Sequence, residues 1–318
     1  MRMQGGRLPA IVTHRRLLYR SPMSYEAQET RVAPIREGAS PIRFLLGVVF
    51  LVPVGLVLST FILGFLVGAL GIAGGGRAGL DAVLAGRDPK SVLILLFSFT
   101  GHIAALALVL RLVHRRHLAD LLGPVPVAVA QALRVSLFLA VFLCVYALLP
   151  AGEQFAVTRQ YPFGEWVRYL LPGLLAIFLQ VSAEELVFRG YLQSHLAAIS
   201  RSPIVWMVVP ALIFGLLHHD TETYGANAWL IVLWATLFGC LAADVTARAG
   251  TLGSAIAMHL ANNTLAFLVA SPEGHFDGLA LYTYDFAMDD PGRVMEWLPQ
   301  EALATLCIWL CVRVALRR

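Results

Sequence analysis

The sequence predicts an all-α fold: a polytopic membrane helix bundle of about eight transmembrane helices, with the N- and C-termini cytoplasmic. Three observations carry this. Of 318 residues, 58% are apolar and only 14% are charged, against roughly 25% charged in a soluble domain. The mean hydropathy is +0.73. The apolar residues also come in long runs, and a chain this poor in charge could not cover a water-facing surface. This excludes an ordinary cytosolic enzyme and a disordered chain. The net charge of +4 does not indicate nucleic acid, because the basic residues sit between apolar runs as membrane-surface anchors do.

Residues 1–43 are Arg-rich and broken by Gly5-Gly6, Pro22, Pro34 and Pro41, and read as a mobile cytoplasmic tail without a secretory signal. Uncharged or nearly uncharged runs follow near 44–72, 91–110, 127–149, 169–193, 204–218, 228–243, 252–270 and 298–312. A span needs about 20 apolar residues, so the fifth and eighth are short. The expected divisions are N-terminal transmembrane helices over 44–168, a core over 169–267, and an outer loop with the last helix over 268–318.

Arginines sort the loops. Arg2, Arg7, Arg15, Arg16, Arg20, Arg31, Arg36 and Arg43 precede the first run, and Arg111, Arg115 and Arg116 follow the second. Arg201, Arg248, Arg313, Arg317 and Arg318 mark the later cytoplasmic ends. The stretch 271–300 is acidic, with Glu273, Asp277, Asp285, Asp289, Asp290 and Glu296. Arg77, Arg87 and Lys90 run against this sorting. Gly64 and Gly68, four apart, suggest a close-packing helix face. Cys144, Cys240, Cys307 and Cys311 lie in apolar stretches and read as packing residues. Lys90 is the single lysine beside many arginines, a composition that suits a bacterial inner membrane.

Chemistry-bearing residues stand out because charge is expensive in an apolar helix, about 2.5–3.5 kcal/mol near the bilayer centre. The fourth run holds Ser182-Ala183-Glu184-Glu185-Leu186-Val187-Phe188-Arg189-Gly190. Glu185 and Arg189 are four apart and can pair on one face. Glu184 is turned by about 100° from Glu185, so that pair leaves it without a same-face partner. The fifth run ends Phe214-Gly215-Leu216-Leu217-His218-His219, with Phe214 and His218 on one face. The seventh contains His259-Leu260-Ala261-Asn262-Asn263, placing His259 and Asn263 towards one cavity. Taken singly, each has a plain structural reading: an ion pair locking a helix, a core histidine, or polar glue between helices.

The combination Glu-Glu-x-x-x-Arg, Phe-x-x-x-His and His-x-x-x-Asn, on three helices in this order, resembles the CPBP family of CAAX prenyl endopeptidases and bacteriocin-processing or self-immunity proteins. The resemblance covers roughly residues 169–267. It implies a membrane-embedded endopeptidase in which a glutamate-activated water attacks a peptide bond of a membrane-associated protein or peptide. Glu184 would be the base and His218 would share the water. His259 and Asn263 would supply oxyanion donors, and Glu185 with Arg189 would hold the helix. Glu184, His218 and His259 could also ligate a divalent metal such as zinc with one open position, and the same residues could work without one. Other intramembrane protease signatures are missing: there is no His-Glu-x-x-His, and Asp244 is a single aspartate at a helix end. Competing readings are a non-proteolytic immunity or binding protein of the same fold, and a transporter using the buried carboxylates.

Overall fold

A computed structural model describes residues 25–72, 76–147 and 155–317. Residues 1–24 of the expected tail lie outside these. The rest of that stretch corrects the expectation of an irregular tail. After a 3-10 turn, Glu26–Gln28, it forms helix α1 (Glu29–Arg36), which buries Arg31, Val32 and Ile35. The spacing of those three makes one short inward face, and an arginine among them hid it.

Helix α2 (Pro41–Ala69) starts at an N-cap, where Ser40 Oγ accepts from the Arg43 amide and Pro41 fits the first turn. It buries Gly47, Leu51, Gly55, Ser59, Leu63 and Val67, a seam with a four-residue step, and turns the rest of its apolar surface outward. Then come α3 (Gly76–Ala85), α4 (Pro89–His114), α5 (Val125–Ala147), α6 (Phe163–Ile199) and the shorter α7 (Ile204–Leu216). Helix α8 (Ala228–Ala249) is followed by α9 (Gly253–Thr264), which a wider turn extends through Val269, and α10 (Pro291–Leu316) closes the order.

Among the described residues, six helices are long and apolar enough to cross a membrane. The chain is a helical multi-pass membrane protein. The two remaining expected spans are present as the shorter helices α7 and α9. Burial sorts the bundle: 67% of the apolar window ending in α8 is buried and 50% of that in α6, against 17% for α2 and for α5. Helices α6 and α8 are therefore inner ones, as is α9, which buries Gly253, Ser254, Ala255, Ala257, Met258 and His259, and α2 and α5 present apolar faces outward.

Close packing does not occur at Gly64 and Gly68, where an added Cβ would meet nothing within 4 Å. It occurs at Gly47, whose Cβ would lie 1.9 Å from the Tyr191 hydroxyl, and at Gly101, where it would lie 2.4 Å from the Ser59 nitrogen. Gly64 and Gly68 stand off the packed seam, whose own glycines, Gly47 and Gly55, are eight apart. The four cysteines are unpaired.

The acidic stretch after α9 folds over one end of the bundle. Strands β1 (Val157–Arg159), β2 (Ala270–Pro272) and β3 (Tyr282–Tyr284) form a small sheet in the order β1-β3-β2. Pairing is antiparallel for Val157 with Tyr284 and parallel for Ala270 with Tyr282. Tyr224, Ile231, Phe286, Val294 and Trp297 pack beneath it.

Candidate active site

Helices α6 and α9 run alongside each other and meet through two polar steps. Gln180 and Glu184 are one turn apart on α6, and Asn263 and His259 are one turn apart on α9. The Asn263 Nδ2 donates to Gln180 Oε1 at 2.9 Å. One turn on, His259 reaches both glutamates. Its Nδ1 is 2.8 Å from Glu185 Oε1 and its Nε2 is 3.6 Å from Glu184 Oε2. The partner of Nδ1 is a carboxylate oxygen, so the ring donates there, and Nε2 is the edge left facing Glu184.

The neighbouring glutamates have opposite surroundings. Glu185 is fully buried and also accepts from Arg189 Nη1 at 3.0 Å. The Glu184 side chain keeps 16% of its surface exposed. Arg189, at 2% exposure, lies with its guanidinium carbon 4.7 Å from the Phe214 ring centre, 5.9 Å from Phe238 and 5.8 Å from Phe188. Such aromatic contacts favour a desolvated cation. Phe238 comes from α8, a run in which a phenylalanine carries no contrast in sequence.

Backbone geometry explains how Arg189 is held. From Leu186 to Leu192 the helix widens to a π turn, a deviation that leaves carbonyls without their usual donors. Arg31 supplies donors, with Nη2 2.7 Å from the carbonyl oxygen of Arg189 and 3.4 Å from that of Gly190. Its Nε donates to the Leu121 carbonyl at 3.1 Å. Burial pushes the Arg31 guanidinium down to about 10, with the charge of Glu185 opposing. It therefore stays cationic at neutral pH, beneath the π turn of α6.

His218 stands at the end of α7. Its Nδ1 donates to the Phe214 carbonyl at 2.8 Å, which leaves Nε2 for other partners. It joins the other residues through Phe214, whose ring centre is 4.7 Å from that of His218 and 6.1 Å from that of His259. Among the described residues, no group of three or more His, Cys, Asp and Glu side chains is gathered so as to hold a metal ion. Glu184, His218 and His259 are thus not gathered as a three-ligand cradle.

Two further residues were not evident from sequence. Gln180 orients Asn263, and its position four before Glu184 was the available signal. His102 on α4, a helix packed against α6, hydrogen-bonds through Nδ1 with Ser59 Oγ at 2.6 Å. A histidine on an apolar helix far along the chain carried no motif.

The fold and these contacts define a membrane-embedded polar site made of paired carboxylates, an enclosed arginine, imidazoles and a carboxamide. Residues 166–265, which carry all of these motifs, match the family model of Rce1-like type II CAAX prenyl endopeptidases. Over that segment the chain is similar to a family of peptidases, as the motifs implied. The uncharacterized protein YyaK of Bacillus subtilis is 25% identical over 128 residues, which is 39% of this chain and 42% of that protein. Less than half of either protein is thus compared. No solved structure matches.

Proposed function

We propose that the chain is an intramembrane endopeptidase that hydrolyses a peptide bond in a membrane-associated protein or peptide. The observation that carries this reading is the placement of His259 between the glutamates: one ring nitrogen on Glu185, the other 3.6 Å from Glu184 Oε2. That gap exceeds a direct hydrogen bond and suits one water held by both atoms.

Peptide hydrolysis needs a deprotonated water and a stabilised oxyanion. In this reading Glu184 takes the water's proton as the oxygen attacks the scissile carbonyl carbon. Glu185 fixes the imidazole of His259, whose Nε2 lone pair holds the water, then receives that proton from Glu184 and passes it to the amine nitrogen as the C–N bond breaks. Asn263, with one amide hydrogen on Gln180, directs the other to the oxyanion. His218 keeps Nε2 for the water or for the substrate backbone. Arg189 and Glu185 act on position and charge. In this reading the cavity opens to the cytoplasmic side of a bacterial inner membrane, which the arginine-bearing loops support.

The test is incubation of the purified protein in nanodiscs with peptides that carry one membrane-inserted segment, in water enriched in oxygen-18. Cleavage with a single heavy oxygen in the new carboxyl group is expected. Products that appear equally with protein heated to denaturation would refute the assignment.

A further inference from the structure

The end of the bundle where α2 begins and α4 and α6 finish holds a second polar feature, separate from the peptidase-like site and independent of that reading. It is a cleft of ≈ 180 Å³, lined in part by Ser40, Arg43, His114, Arg116 and His195, and no acidic residue lines it. His114 Nε2 and the Tyr191 hydroxyl, 2.9 Å apart, lie beside it.

Two buried nitrogens here have no hydrogen-bond partner among the described residues: Nη1 of Arg116 and Nε2 of His195. Their needs are opposite. Arg116 has its Nε 3.5 Å from Asp120 Oδ2, and Nη1 requires an acceptor. His195 is 4% exposed and donates through Nδ1 to the Tyr191 carbonyl at 2.8 Å. Its Nε2 then carries a lone pair and requires a donor. Buried polar atoms in native proteins rarely go unmatched. A ligand meeting both needs bears an anionic oxygen and a hydroxyl.

We propose that this cleft binds the headgroup of an anionic phosphodiester lipid that carries a free hydroxyl. The phosphate sits on Arg116 and Arg43 at the N-terminal end of the 29-residue α2, whose dipole favours an anion. The headgroup hydroxyl donates to His195 Nε2. A lipid fits better than free phosphate because α2 continues from the cleft as an outward apolar face. Ile42, Leu45 and Val49 are 72%, 62% and 57% exposed there, a track for an acyl chain. A choline headgroup offers no hydroxyl, and its ammonium would face two guanidinium groups.

Native mass spectrometry of the purified full chain tests this, with phosphatidylglycerol, phosphatidylmethanol (same charge, no hydroxyl), phosphatidylcholine and inorganic phosphate as probes. One phosphatidylglycerol should be held about tenfold more tightly than phosphatidylmethanol and more tightly still than phosphatidylcholine. Arg43→Gln and Arg116→Gln should each weaken it about tenfold, and His195→Phe should erase the preference over phosphatidylmethanol. Arg111→Gln, whose residue does not line the cleft, should leave it unchanged. Melting curves must match the parent. Equal retention of phosphatidylglycerol and phosphatidylcholine would overturn the proposal, as would unaltered binding in the Arg43 and Arg116 variants. Retention of inorganic phosphate as tight as that of the lipid would overturn the lipid assignment.

Discussion

The 2.8 Å bond from His259 Nδ1 to Glu185 Oε1 joins α9 to α6 and decides which edge of the imidazole remains for chemistry. Glu185 is consumed as a positioning group, Arg189 compensates its charge, and the adjacent Glu184 is left with partial exposure and the facing Nε2.

Replacing Arg189 by alanine is expected to destabilise the protein by about 3–5 kcal/mol, since it strands the buried Glu185 carboxylate. The loss should appear as a lower melting temperature in detergent, together with lost cleavage. An unchanged melting temperature with lost cleavage would instead put Arg189 in contact with substrate.

Gln180→Leu removes the acceptor that holds Asn263. The carboxamide should then lose its orientation. Turnover is expected to fall about tenfold with little change in KM, the pattern of an interaction made in the transition state. A rise in KM alone would assign Gln180 to substrate binding.

Arg31→Met keeps much of the side-chain length but leaves the carbonyls of Leu121, Arg189 and Gly190 without their donor. Unsatisfied buried acceptors cost about 1–3 kcal/mol each. Thermal unfolding should shift downward, and hydrogen exchange across residues 186–192 should accelerate. Unchanged exchange there would show that the π turn holds itself.

Much of this site was legible in the sequence because charge contrasts with an apolar background. The Glu185–Arg189 pair follows from a four-residue step, and the likeness to a peptidase family followed from three such steps on three helices. What escaped notice lacked that contrast. Arg31 sat among many arginines and looked like a surface anchor. Phe238 is one apolar residue in an apolar run, although it encloses the arginine. Gln180 carries no charge, and His102 depends on packing between α4 and α6 that no local pattern encodes. Gly64 and Gly68 misled because a four-residue glycine step can fall off the packed seam, and only the neighbouring helix chooses the face that is buried. The small sheet joins β1 to β3 across more than a hundred residues, and its three-residue strands are too short to show alternation.

The same cap has a pH response. Burial pushes the His275 imidazole down to about 4, with Asp220 and Asp277 opposing and His218 assisting, and the Tyr224 hydroxyl lies 3.2 Å from its Nε2. The ordinary value is 6.5. Between these values the unfolded cap binds the extra proton, so stability is full above pH 6.5 and declines as pH falls towards 4, by roughly 3 kcal/mol in all. The protection of residues 270–284 against hydrogen exchange, taken relative to the intrinsic rate at each pH, should fall over that range, and much of that fall should vanish in His275→Gln. An identical profile in both proteins would clear His275 of the effect.

The most direct measurement compares the parent protein with Glu184→Gln on one membrane-anchored peptide substrate, with a melting curve for each. The amide keeps the shape and cannot take a proton from water. A general base contributes about 10²–10⁴-fold, so cleavage should fall at least a hundredfold while the melting temperature stays put. Cleavage by Glu184→Gln at near the parental rate would contradict the central assignment.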